Sequence, residues 1–334
     1  MKFIKEKLRW GILGCGDVCE VKSGPAFNKV ANSELVAVMR RDKEKAADYA
    51  RRHHVPRFYT DAESLVNDKE VNAIYIATPP SLHEPYTELA LKSDKPVYVE
   101  KPVTLNAASC ERMIHASKKY DNRVSVAHYR RGLPIFKKVK SLILEGAIGN
   151  VMFIELKTLQ PSDSKLITHT KDNWRVQPDI SGGGLFHDLS PHQLDILYWI
   201  FGEPTSVTGH SWNLSKTSAA PDLTILNAVY NNPYKGREGD VCLNGVWGFS
   251  FEEQSAAEHC MVYGDRGNMR FSFFKKSTIE LVTTDGIETL EFDYPENIQQ
   301  PMIDAVTRFF RGEGPNPCSL EEAMVTMKMM DSTR

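Results

Sequence analysis

Six cysteines in 334 residues are too few for a disulfide scaffold, and no two of them stand as a C-x-x-C pair, which argues against a structural zinc site. No apolar run approaches the ~20 residues that a membrane-spanning helix needs. Neither sign of charge dominates: 41 Lys and Arg stand against 43 Asp and Glu. A nucleic-acid or polyanion partner would call for a strongly basic face, so no nucleic acid is expected. The segment Met1–Trp10 has basic residues with no apolar core behind them and is not expected to be a secretory signal. Internal repeats and low-complexity tracts are lacking as well. The expectation is a cytoplasmic globular protein with chain enough, at roughly 100–200 residues per domain, for two domains with real cores.

The first part of the chain alternates short apolar runs with helical segments, the pattern of a parallel sheet covered by helices. Strands are expected at Leu8–Leu13, Leu35–Arg40, Ala73–Ala77, Pro96–Val99 and Arg123–Ala127. Each is apolar at successive positions, as in strands covered on both faces. Asp42 is placed to N-cap Lys43–Arg52. Thr60 with Glu63, and Ser81 with Glu84, set a hydroxyl and a carboxylate at capping-box spacing.

Beyond residue 150 the texture changes. Val151–Leu159 reads as a longer strand, and a Gly-rich turn and apolar segment follow over Gly182–Ile200. Ser206–Trp212, Leu223–Tyr230, Gly245–Phe251, Glu258–Tyr263, Asn268–Phe274 and Thr278–Val282 read as successive strands. Turn signals such as Asn244-Gly245 and Gly264-Asp265-Arg266-Gly267 separate them. Strands in succession predict an antiparallel sheet, hence an α/β domain over residues 1–130 and an α+β domain over 131–334. The terminal helices, the last opened by Ser319 with Glu322, are free to pack back on the first domain. Asn231–Gly239 is the candidate for a mobile insertion.

Four clusters carry chemistry. Gly14-Cys15-Gly16-Asp17-Val18-Cys19 ends the first strand and opens the first helix, the context that gives a G-x-G-x-x-G/A motif its meaning. Gly14 would make the tight turn, Gly16 would admit a pyrophosphate to the backbone, and the helix start would supply amide donors. Cys19 replaces the third glycine with a small residue. The plain alternative is an ordinary glycine-rich βα turn. Arg40 and Arg41 close the second strand where an NAD enzyme usually places an acid for the ribose 2′-hydroxyl. Guanidinium groups suit a 2′-phosphate, which favours NADP(H) with NAD(H) possible; otherwise both arginines are solvated and Asp42 is only a cap. Glu100-Lys101-Pro102 follows a strand, at the edge where open α/β sheets bind ligands. A lysine there can hold a substrate hydroxyl, although such a loop is more often plain surface.

The fourth cluster is Gly182-Gly183-Gly184 followed by Asp188, Pro191, His192 and Asp195. On a helix Asp188 and His192 share a face. A helix starting instead at Ser190, with Pro191 at its first position, would leave Asp188 outside it. A metal site from Asp188, His192 and Asp195 lacks an evident fourth ligand, so no metal is expected. The structural alternative is a capped helix with a satisfied histidine.

In order and spacing, Gly14-Cys15-Gly16, Ala77-Thr78-Pro79-Pro80-Ser81-Leu82-His83, Glu100-Lys101-Pro102 and Gly182–Gly184 with Asp188 and His192 resemble the glucose–fructose oxidoreductase / inositol dehydrogenase (Gfo/Idh/MocA) family over nearly the whole chain. Weaker points are Tyr129-Arg130-Arg131, Gly146–Gly149, Trp174-Arg175, Gly264–Gly267 and the closing Ser319–Ala323 segment. The resemblance implies a Rossmann domain and a substrate domain with a large, mostly antiparallel open sheet that builds homodimers or homotetramers. It implies hydride exchange between a nicotinamide and a carbonyl or alcohol carbon of a sugar-like or polyol small molecule. By it Lys101 would meet the reacting oxygen, His192 would give or take the proton, and Asp188 would orient substrate or support His192. Thr78, Pro79, Pro80, His83 and Glu100 would border the cofactor, Trp174 and Arg175 would reach it, and Tyr129 and Arg130 would contribute to substrate specificity with residues 160–173. Two further readings stay open: an NAD-linked, inositol-type polyol dehydrogenase, and a non-catalytic dinucleotide-binding sensor.

Overall fold

A computed structural model of the chain describes residues 3–121, 123–166, 173–233 and 239–334. Most of the expected insertion at 231–239, and six residues of the 160–173 stretch, lie outside the described residues. The chain divides into two compact units, Met1–Gly132 with Pro295–Met324, and Leu133–Tyr294 with Val325–Arg334.

The first unit runs β1 (Leu8–Leu13), α1 (Asp17–Val21), β2 (Ser33–Met39), α2 (Lys43–Arg52), β3 (Arg57–Tyr59), α3 (Ala62–Val66), β4 (Ala73–Ile76), α4 (His83–Lys92), β5 (Val97–Val99), α5 (Ala107–Lys119) and β6 (Val124–Val126). Its six strands are all parallel in the order β3-β2-β1-β4-β5-β6. The order reverses between β1 and β4, so their carboxyl ends flank the crevice where such sheets bind ligands. β3 escapes a pattern search because it has three residues, none of them buried. Asp42 caps α2 by accepting from the Lys45 amide at 3.1 Å. Two expected caps are corrected. Asp61, not Thr60, caps α3, accepting from the Ser64 amide at 2.8 Å. Ser81 caps nothing: Pro80–Leu82 form a 3₁₀ turn, and α4 starts at His83 without a side-chain cap. Pro80 disfavours the helical region for Pro79, which stays extended just before that turn, and this delays the helix. An aromatic cluster fills the core. Trp10 lies 4.9 Å from Phe27 and 5.7 Å from Phe310, the latter on the helix over Gln300–Arg311, and Tyr75 stacks on Tyr98 at 5.2 Å.

The second unit holds α6 (Pro134–Leu144), β7 (Val151–Leu159), α7 (Pro178–Ser181), α8 (Leu185–Phe201), β8 (Ser206–Trp212), β9 (Leu223–Asn231), β10 (Asp240–Gly248), β11 (Ala257–Gly264), β12 (Gly267–Phe271), β13 (Thr278–Thr283) and β14 (Gly286–Glu291). The chain closes with α9 (Gln300–Arg311) and α10 (Leu320–Asp331). Ser319 and Glu322 exchange the two hydrogen bonds of a capping box at 2.8 and 3.1 Å. The eight strands run β14-β13-β12-β11-β7-β10-β9-β8, antiparallel except for the β7–β10 pair. Asn244-Gly245 is no turn. Asn244 pairs with Asn227 on one side and Glu155 on the other, so two ladders override the local signal. β12 stops at Phe271, short of the expected Phe274, because the Phe273 amide turns to donate to the buried Glu258 carboxylate at 2.9 Å. One sheet face is apolar and packs helices: Phe186 of α8 meets Trp247 at 5.0 Å, and Phe136 of α6 stacks on Phe273 at 5.1 Å. Among the described residues no helix is long and apolar enough to cross a membrane.

Candidate active site

In the first unit the expected cofactor residues gather along one edge of the sheet. Gly14 has φ +92°, a conformation that disfavours L side chains, and a Cβ there would lie 2.8 Å from Thr78 Cγ2. A Cβ on Gly16 would meet nothing within 4 Å, so its backbone faces open space. Gly16 is also the N-cap of α1, and no side chain caps the first-turn donors of Asp17 and Val18. Cys19 does the packing expected of the third small residue: it is fully buried and its carbonyl accepts from the Tyr49 hydroxyl at 2.9 Å. Cys15 is buried too, and burial pushes its thiol up to about 11.

The two arginines after β2 part company. Arg40 Nη1 donates to the Cys15 carbonyl at 3.3 Å and so braces the glycine turn. Arg41 instead lines a cavity of about 650 Å³ with Met39, Thr60, Asp61, Tyr86 and Lys92 among its walls.

Beyond β4 and β5 the chain builds a buried polar network. Glu100 is 5% exposed and accepts from Tyr75 Oη at 2.6 Å, from Gln299 Nε2 at 2.7 Å and from the Lys101 amide at 3.1 Å. Lys101, half-buried, follows directly and precedes Pro102 through a cis peptide bond. Gln299 is a residue that sequence reasoning missed, since nothing local marks it and it lies 199 positions from its partner. His83, expected to border the cofactor, is fully buried. Its ring nitrogens face two carbonyls, Nδ1 to Pro102 O at 3.0 Å and Nε2 to Thr78 O at 2.8 Å, and burial holds its pKa below the usual range. It braces the two loops from beneath. Thr78 and Pro79 are half-buried, whereas Pro80 is buried. Tyr129 and Arg130 are buried, with the guanidinium 5.3 Å from the Tyr129 ring.

In the second unit α8 runs unbroken from Leu185 through Pro191 to Phe201, so the alternative start at Ser190 is not used. Asp188, His192 and Asp195 therefore share a helix face. His192 is 7% exposed, with the Phe274 ring edge-on at 5.9 Å. Arg175, expected to reach a dinucleotide, donates to Asp188 Oδ2 at 3.1 Å and stacks on Trp174 at 4.4 Å. Asp188 thus carries a guanidinium partner that sequence reasoning did not pair with it. The opposite face of α8 is anchored: Gln193 donates to Thr158 Oγ1 at 2.9 Å and accepts from Trp247 Nε1 at 2.6 Å. His187 is buried beside the glycines, and a Cβ on Gly183 would lie 2.2 Å from its Nδ1.

The chain matches the oxidoreductase family with an NAD-binding Rossmann fold over residues 8–128, and the GFO/IDH/MocA C-terminal domain over residues 136–270. It is 41% identical over 331 residues to oxidoreductase P35 of Formosa agariphila, covering 98% of each chain. It is 25% identical over 299 residues to the D-xylose 1-dehydrogenase (NADP+) of Haloarcula marismortui, covering 88% of this chain and 80% of that protein. The aldose-aldose oxidoreductase of Caulobacter crescentus, solved in complex with glycerol, shares the fold at a TM-score of 0.83 and 20% identity, over 98% of this chain and 96% of that one.

Proposed function

This chain belongs to the GFO/IDH/MocA family of oxidoreductases, and from that premise we propose that it is an NADP(H)-dependent enzyme acting on a carbonyl or alcohol carbon of a sugar-like or polyol substrate. The observation that carries this reading is the gathering of Gly14–Val18, Arg41, Thr78–Pro79 and Glu100–Lys101 at the carboxyl edge of one parallel sheet. The open backbone at Gly16 and the uncapped first turn of α1 suit a pyrophosphate. A bound nicotinamide supplies the hydride chemistry. Lys101 offsets alkoxide character on the reacting oxygen, and His192 gives or takes its proton. Asp188, held by Arg175, orients His192 or the substrate.

Arg41 carries the preference for NADP(H), since Arg40 is engaged by Cys15. The same cavity wall bears Asp61, Glu63 and Glu88, which favours the competing NAD-linked polyol dehydrogenase. Titration of both reduced dinucleotides by their fluorescence decides between them. Arg41→Ala is expected to weaken NADPH by about 10-fold or more, the loss of a charge-assisted pair, and to leave NADH nearly unchanged. Equal effects on both would remove Arg41 from the argument. Screening aldoses, ketoses and inositols with each cofactor tests activity. Lys101→Met and His192→Ala should each cut turnover at least 100-fold while dinucleotide binding survives. A wild-type chain that binds dinucleotide and turns over none of these would be a sensor. The outward face of the second unit's sheet would join a second copy of the chain.

A further inference from the structure

Glu100 is a buried carboxylate, and one of its donors comes from the far end of the first unit. Gln299, 1% exposed, is the N-cap of α9. Its Nε2 donates to Glu100 Oε1 at 2.7 Å, beside the Tyr75 hydroxyl on the same oxygen. Its amide donates to the Lys22 carbonyl at 3.2 Å, and Asn297 Nδ2 donates to the Val21 carbonyl at 2.8 Å. The segment 297–299 therefore joins the end of α1, the helix opened by the glycine turn, to the carboxylate that accepts from the Lys101 amide. Packing alone does not account for a glutamine here. Its side-chain amide is spent on a buried carboxylate, which an aliphatic side chain would leave one donor short.

We infer that Gln299 is a positioning residue for the dinucleotide site, fixing the Glu100 carboxylate and with it the backbone from which Lys101 leaves β5. The inference rests on the dinucleotide reading of this edge.

The titratable groups around Glu100 are Tyr75 on β4, Tyr98 on β5, Cys19 on α1 and His83 at the head of α4, with Lys101 next in the chain. Burial raises the phenols and the thiol and lowers His83. Between about pH 6 and 8 the phenols and the thiol stay neutral, and His83 is common to wild type and both variants, each variant being read against wild type at the same pH. Gln299→Glu is isosteric and sets a second carboxyl against Glu100. At about pH 8 the affinity for NADP+ (or NAD+ where that binds tighter), read from quenching of tryptophan fluorescence, should fall at least 10-fold against wild type, because both groups cannot ionise so close together. At about pH 6 a shared proton restores a donor and the deficit narrows to about 3-fold or less. Gln299→Leu has no proton to regain, and its deficit should be the same at both pH values. A deficit of Gln299→Glu that ignores pH, or wild-type affinity in both variants, overturns the inference alone. If Gln299→Glu unfolds at the higher pH, the lower one decides: Gln299→Glu near wild type with Gln299→Leu weak supports the role, and both equally weak removes it. A wild-type chain that binds neither dinucleotide overturns the underlying reading and this inference together.

Discussion

At the scale of single residues, three histidines that look alike in the sequence have separate physical fates. His83 is a buried brace between two carbonyls, His192 lies on the α8 face that carries Asp188, and His187 is a buried acceptor. His187 Nε2 faces Arg334 Nη2 at 3.0 Å, and since guanidinium only donates, that nitrogen must be unprotonated. Burial first and the Arg334 charge second push its pKa down to about 3. Unfolded, the ring takes a proton below about pH 6.5, whereas folded it does not. Its contribution to stability is therefore complete above that pH and is lost on descending towards pH 3, at no more than about 1.4 kcal/mol per pH unit. His187→Gln should flatten the slope of unfolding free energy between about pH 6 and 4, measured by urea titration at each pH. Identical slopes in variant and wild type would mean that His187 is not held neutral. None of this was legible in the sequence, because Gly183, His187 and Arg334 meet only after folding. Lys101 and the glycine turn were legible, since their context is a strand end and a helix start that local pattern reveals.

At the scale of elements, α8 shows where local rules are outweighed. A proline at an interior helix position costs about 3 kcal/mol and made Ser190 look like a helix start. The helix runs through Pro191 nonetheless, because both flanking stretches are almost wholly buried and Gln193 is locked between Thr158 and Trp247. β10 tells the same story, with pairing on both edges outweighing Asn244-Gly245. The glycines before α8 make close approaches of their own. Gly183 lies against the His187 ring, and Arg334 donates to the Gly182 carbonyl at 2.8 Å. Gly183→Ala should thus force His187 outward at a cost of about 1–3 kcal/mol, seen as a lower melting temperature. Because α8 also carries Asp188 and His192, turnover should fall further than dinucleotide affinity. Unchanged melting would show that the ring yields freely and that the close approach constrains nothing.

At the scale of the whole molecule, the alternation of strands and helices made the parallel sheet legible, and the run of strands after residue 205 made the antiparallel one so. The place of residues 295–324 was not. They cluster with the first unit through contacts such as Phe310 on Trp10, which no local periodicity encodes. The outward face of the eight-stranded sheet raises the remaining question. Phe153 on β7 and Tyr263 on β11 stack at 5.9 Å while 37% and 36% exposed. Glu155, Lys157 and His259 follow on the same face, with His259 Nε2 3.2 Å from Glu155 Oε1. Aromatic anchors beside paired charges are the composition of a protein interface, and a closed pair of like copies is its commonest form. Phe153→Arg with Tyr263→Arg should therefore convert a dimer into monomers, or a tetramer into dimers, at micromolar concentration, measured by light scattering after gel filtration, with the fold intact by circular dichroism. A closed pair would gather four added guanidinium groups in one seam, where like charges cost several kcal/mol. A wild-type chain already monomeric, or a double variant of unchanged mass, would count against this face as the seam.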